Sequence, residues 1–441
     1  MTRTPAASPA SSPGAYPSAV ETGGAAARRF HLRHGRVLPA IDPAAGTTAP
    51  KHHPGAPVLP LLFPPDFAPA RPGNRHPAAF PEPLGALLAL INGVTRIDWT
   101  GTGASAGRPV PSGGGAYPGE VYLATPSGLC HYLPSVHALE VLSRTDQRTS
   151  VIHALNQPPP EVLELAVLIT SRLDANVARY GPFGHRLQAL DTGVLTGQAL
   201  TLLESAGAEP TAHACFSGEE LGRLLGLDAR AEVVHAVITA RTPDALAPGT
   251  ALLRRRTARA GFEPAPVPLP ALLAILADAA GPVPLDHAPP APCELYVVAH
   301  RVTGLDTGCH RRDRRTGRLV PVAPDATPRD LFPPGGPGEL AGFEAAFAVL
   351  VTGDYESCYP RFGDRWYRML NLRAGVIGTR LGVAAARHGL GAGLRCDVDT
   401  AAADDLLDAG PERTTLLAAL FGHERGSGTP VCQLLSEKDL P

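Results

Sequence analysis

"RYGPFGHRLQALDTGVLTGQALTLLESAG", residues 179–207, returns as "RFGDRWYRMLNLRAGVIGTRLGVAAARHG", residues 361–389, at an offset of 182. Each version reads as a long helix that is apolar nearly all round, the pattern of a helix buried on every side. Gly193 and Gly197 fall on one face of the first, and Gly375, Gly378 and Gly382 mark the second. Residues without a Cβ at that spacing let another helix or a sheet come close. Working outward, "LELAVLIT" (163–170) matches "FAVLVT" (347–352) at the same offset. "EVYLA" (120–124) matches "ELYVV" (294–298) at 174, and "PLGALLALI" (83–91) matches "PLPALLAIL" (268–276) at 185. Four segments in one order at a nearly constant offset mean two copies of one domain. The expected organisation is an Ala/Pro-rich, flexible or loosely packed arm over 1–70, a first domain over 71–250 and a second over 251–441.

Periodicity gives the coarse content of each copy. In the first, an apolar helix is followed by a strand at Val121-Tyr122-Leu123, a turn at "PSGL" (126–129) and a short helix opening in "HALEVL" (137–142). "LELAVLIT" is too dense in apolar residues for a half-exposed strand and belongs in the middle of its sheet. After the long helix, "SGEELGRLLGL" (217–227) starts a last helix, with Ser217 as N-cap and Glu220 three residues on. "EVVHAVIT" (232–239) is the closing strand.

Composition excludes several classes. A 441-residue chain that is 44% hydrophobic with a formal net charge of -2 carries no broad electrostatic footprint for nucleic acid. Lys51 and Lys438 are its only lysines, so none between them serves as a base or Schiff-base former. The seven cysteines are scattered without C-x-x-C pairs, and "CHY" (130–132) and "CH" (309–310) lack further ligands. Neither a disulfide framework nor a metal site is expected. His131, His137, His185 and His235 read as surface or internally satisfied histidines. No apolar run reaches the roughly 18 residues of a membrane span, and the first residues lack a secretory signal's apolar segment. A cytoplasmic location is expected.

"RPVPSGGGAYPGEVYLA" (108–124) strips side chains from the backbone just before a strand. Two readings stand: a tight turn, or a flat ligand that must approach the main chain. Together with "GLCHYLPSVHALEVL" (128–142), "ARYG" (178–181), the glycine-bearing helix and "LGLDARAEVVHAVI" (225–238), this stretch resembles the nitroreductase-like flavoproteins. Within them it is similar to the SagB/ThcOx-type azoline dehydrogenases. The second copy resembles the same fold and keeps "FGDRWYR" (362–368). Its counterpart of the glycine loop, "DHAPPAPCELYVV" (286–298), has no glycine.

The resemblance implies an α+β chain of two tandem nitroreductase-like domains, each a mostly antiparallel sheet flanked by helices, paired as an intramolecular pseudo-dimer. It implies FMN as cofactor, with a single functional site per chain. Pro111, Ser112, Gly113, Gly114 and Gly115 would face the flavin ring, and Arg108, Arg365, Gly389 and Gly391 are further expected contacts. The family's Arg-x-Ser-x-Arg phosphate element is reduced in "GNRHPAAFPEPLGALL" (73–88) to Arg75. That leaves the phosphate to Arg75 helped by Arg108 or by an arginine of the second copy, or else a flavin held loosely or lost. The family's Lys-Tyr pair is Arg179-Tyr180 here, with Tyr180 as general base and the arginine's charge favouring its phenolate. The implied reaction is oxidation of thiazolines or oxazolines to azoles in a ribosomally made peptide, beside a cyclodehydratase partner. Two alternatives stay open. One is an NAD(P)H-dependent reductase of a small molecule or of dehydroamino acids in a peptide, and the other a flavin-free scaffold that binds a modified peptide.

Overall fold

The computed structural model describes residues 23–36, 49–61, 82–100, 103–159, 163–246, 250–286, 293–336, 338–426 and 431–435. Two large antiparallel sheets dominate it. Across the first, the order is Val58–Pro60, Ala138–Ser143, Gly128–Leu133, Gly119–Thr125, Leu165–Arg172, Glu232–Ala240, Thr211–His213. Across the second, it is Phe262–Glu263, Arg413–Glu424, Phe347–Asp354, Glu294–Ala299, Gly308–Arg312, Leu319–Pro324, with Gly391–Arg395 also paired to Arg413–Glu424. Matching strands pair with matching neighbours, and even the irregularities repeat. The register shifts between Ile169 and Thr170 in one sheet and between Val351 and Thr352 in the other. Leu165–Arg172 and Phe347–Asp354 run through the middle of their sheets, apolar on both faces and buried on both.

The two long helices, Gly184–Ser205 and Arg365–Arg387, lie against each other between the sheets and fuse the cores. Leu372, Val376 and Val383 of the second pack with Val194, Leu195 and Ala199 of the first. Glycine is required at this crossing. A Cβ on Gly193 would overlap the Leu372 carbonyl oxygen, and one on Gly375 the Leu190 carbonyl oxygen. Thr379 Oγ1 donates to Val194 O at 2.9 Å across the contact. Two buried arginines at equivalent positions stitch each helix to the opposite sheet. Arg186 donates to Thr415 O (3.0 Å) and Leu416 O (2.6 Å), and Arg368 to Val234 O (2.8 Å). Carbonyls thus satisfy guanidinium groups that would be costly to bury alone.

One sequence expectation changes. "HALEVL" is not helical: Ala138–Ser143 is a strand paired to Gly128–Leu133, sending Leu139 into the core and Glu140 to the other face. The N-terminal arm is docked wherever it is described. Helix Ala25–Phe30 sits on the second half, with Ala27 N–H donating to Asp364 Oδ1 at 2.8 Å and Arg28 paired to Glu356 at 2.6 Å. Val58–Pro60 extends the first sheet. At the other end of the chain, Val431–Gln433 pairs with Arg96–Thr100, so the C-terminal segment lies on the first half. Among the described residues, no helix is long and apolar enough to cross a membrane.

Candidate active site

The glycine loop makes one tight turn. Gly114 (φ 61°) and Gly115 (φ 70°) both occupy the left-handed region that favours glycine. The turn is anchored from the first long helix: Asp191 accepts from Ser112 Oγ at 2.7 Å and from Gly113 N–H at 3.2 Å. Ser112 Oγ in turn accepts the Tyr117 N–H at 2.9 Å. Burial pushes the Asp191 carboxyl up to about 6, against the opposing pull of these donors and Asn176.

Helix Leu173–Tyr180 ends at Gly181 (φ 54°), which delivers Arg179 and Tyr180 onto the loop. Arg179 Nη1 donates to Gly114 O at 2.9 Å. A Cβ on Gly114 would overlap the Tyr180 hydroxyl and stand 3.0 Å from Arg179 Nη1. Glycine at 114 therefore serves a turn and a close approach at once, and the close neighbours are Arg179 and Tyr180. Arg179 Nε is buried without a hydrogen-bond partner among the described residues, leaving an open cationic donor beside the loop. Burial raises the Tyr180 hydroxyl above the ordinary phenol value. Arg179 pulls the other way without prevailing, and Asp191, Cys396 and Asp397 add to the rise. Arg179 thus favours the phenolate, as expected, while the net direction for Tyr180 is upward. Cys396 and Asp397 belong to the second half, directly after Gly391–Arg395. Burial pushes the Cys396 thiol up to about 12.

At the loop's other end the second half supplies arginines. Arg255 Nε donates to Pro109 O at 2.8 Å, and its side chain is buried beside Arg96 and Arg259. Among the described residues no carboxylate forms a salt bridge with Arg255. Burial first, then Arg96, pushes its guanidinium down to about 10. Arg259 reaches Asp98 at 3.5 Å. Arg96 also pairs with Asp98, at 3.2 Å, so among the described residues one carboxylate serves two of these three arginines and Arg255 has none. Such an excess of buried positive charge is a place for an anion, and arginine's planar fork suits phosphate. These residues lie in "RRRTARAGF" (254–262), which reads Arg-x-Thr-x-Arg at 255–259. The same arginine spacing as the element sought ahead of the first copy's helix, with threonine in place of serine, stands ahead of the second copy's.

The remaining expected contacts separate. Arg108 turns inward, donating to Asn92 Oδ1 at 2.8 Å with its guanidinium 4.7 Å from the Tyr117 ring centre, so it anchors the loop's start. Gly391 lies beside Ala258 within the arginine segment's reach, and Gly389 ends the second long helix in an open turn (φ 68°). Arg365 stands over the Phe216 ring at 5.7 Å, among none of the loop's neighbours. Arg75 lies outside the described residues.

No family profile matches the chain, and no curated protein does. Solved structures do. A protein of Anabaena variabilis assigned to the nitroreductases superposes with a TM-score of 0.77 at 21% identity, over 90% of this chain and 99% of that one. One from Ralstonia eutropha, likewise assigned, aligns over 46% of this chain and 97% of its own at 18% identity and TM-score 0.33. The Escherichia coli microcin synthetase McbBCD complex, bound to a truncated pro-peptide, aligns over 50% and 92% at 19% identity and TM-score 0.33. The chain has the nitroreductase fold, in two tandem copies.

Proposed function

We propose that the chain is an FMN-dependent oxidoreductase with one composite site, and that it oxidises azoline rings in a ribosomally made peptide. One observation carries the cofactor reading: the start of the first half's glycine loop, at Pro109, meets a buried arginine of the second half that has no carboxylate partner among the described residues. The residues fit FMN. Arg255 and Arg259 would hold the phosphate, and Ser112–Gly115 with the open Nε of Arg179 would border the ring. When bound, FMN supplies a two-electron acceptor. The protein's part is to hold the substrate over the ring and to move a proton at Tyr180 Oη. In the oxidative direction Tyr180 works through its minor ionised form, whose charge Arg179 stabilises, so turnover should rise with pH toward the raised phenol value.

The azoline substrate, and a cyclodehydratase that would make it, rest on the resemblance and on the Arg179-Tyr180 pair standing at the loop. The raised Tyr180 hydroxyl favours a second reading, an NAD(P)H-dependent reductase in which the phenol donates the proton. Two assays separate them. Incubation with an azoline-bearing peptide should remove two hydrogens per ring by mass spectrometry. Anaerobic mixing with NADPH should leave the flavin colour unchanged. Rapid bleaching by NADPH with no change in the peptide would replace the first reading by the second.

A further inference from the structure

By strand alternation, the face of the first sheet turned away from the long helices carries Glu120, Tyr122, His131 and Glu140. His131 pairs across from Tyr122, and Glu140 across from His131. The segment Lys51-His52-His53 of the N-terminal arm lies over them. Lys51 is ion-paired with Glu232, His52 Nδ1 is 3.1 Å from Glu140 Oε1, and His53 Nε2 is 3.2 Å from Tyr122 Oη. His131 is fully buried between two carboxylates, with Nδ1 2.8 Å from Glu140 Oε2 and Nε2 3.3 Å from Glu120 Oε2. His53, His131 and Glu140 each present one ligand atom, all within 4.8 Å of one another.

We infer that His53, His131 and Glu140 bind a divalent transition-metal ion of the zinc class. Two imidazoles and a carboxylate form an established zinc donor set, leaving a fourth position for water or the exposed His52. His131 has the arrangement metal-bound histidines show: one nitrogen toward the ligand cluster, the other hydrogen-bonded to a carboxylate, here Glu120. With an ion bound, His131 would ligate through Nδ1 and donate Nε2–H to Glu120. Glu232 is already paired with Lys51, but among the described residues the buried Glu120 and Glu140 form ion pairs with histidines alone, and they favour positive charge here. Ligand spacing hides the site, because His53 lies on the arm while His131 and Glu140 sit on adjacent strands. A bound ion would fasten the arm to the sheet just ahead of Val58–Pro60, and so stabilise the docked state.

The test is equilibrium dialysis of the full chain against zinc chloride at neutral pH, with metal measured by mass spectrometry. Wild type should retain one zinc per chain after passage over a desalting column. His53→Ala, which removes a ligand from the arm alone, and the isosteric Glu140→Gln should each lose that equivalent. Glu120→Gln should bind about 10- to 100-fold more weakly, as loss of a supporting carboxylate does. No zinc retained by wild type, or one equivalent retained by both His53→Ala and Glu140→Gln, overturns the proposal.

Discussion

Arg179-Tyr180-Gly181 and Arg361-Phe362-Gly363 occupy the same turn in the two halves, and their glycines share φ values of 54° and 55°. The backbone is duplicated while the chemistry is not. One half presents a hydroxyl to a glycine loop and the other a buried phenyl ring. Asp191, which holds that loop, is replaced at the equivalent position by Arg373. What stayed common to both halves is what the paired architecture needs: the glycine crossing, the two buried arginines and the sheet order. What diverged is the surroundings of one loop.

The sharpest way to break the comparison is Tyr180→Phe, which makes the first half resemble the second. Turnover should fall about a hundred- to ten-thousandfold, the usual weight of a positioned acid or base, with flavin absorbance unchanged. Phe362→Tyr should leave turnover as it was. Equal losses from both variants would mean the halves are not specialised. Next in size is the shared crossing: Gly375→Val forces side-chain atoms into the Leu190 carbonyl. It should cost about 3 kcal/mol, at the upper end of overpacking penalties, as a lowered denaturation midpoint.

Arg255→Leu tests whether the second half completes the first half's site. Losing a charge-assisted contact weakens FMN by roughly 1.5–3 kcal/mol, ten- to a hundredfold, while Arg365→Leu, over Phe216, should not change FMN affinity. The smallest effect is in the pH dependence of stability. The folded-state pKa of Asp191 is raised from 3.8 to about 6. The native state thus holds a proton the unfolded chain has released, and stability falls as pH rises from about 4 to 6. Asp191→Asn should flatten that slope in thermal unfolding, and an unchanged slope would assign it to another group.

Much of the fold was legible because the repeat offset, the glycine-marked helices and the apolar central strands are local patterns. The Ser217 cap also appears as read, accepting the Glu220 N–H at 3.3 Å. "HALEVL" was misread because apolar residues at 138, 139, 141 and 142 fit a helical stripe as well as a strand, and cross-strand pairing decided between them. Tyr180 and the glycine loop could be singled out from the sequence, but the protonation of Tyr180 could not. Its hydroxyl responds to burial and to Cys396 and Asp397, more than two hundred residues away. An arginine of the second half was among the expectations, and its Arg-x-Thr-x-Arg spacing is legible in the sequence, but which arginine meets the loop was not. The partner of Arg255, Pro109, is 146 residues distant, and only the pairing of the halves brings them together.

The most direct measurement is the FMN stoichiometry of the full chain, titrated to saturation and read from visible absorbance. One composite site, built from the loop of one half and the arginines of the other, requires one FMN per chain, sharply weakened by Arg255→Leu. No bound FMN at saturation, two per chain, or one that Arg255→Leu leaves equally tight would contradict it.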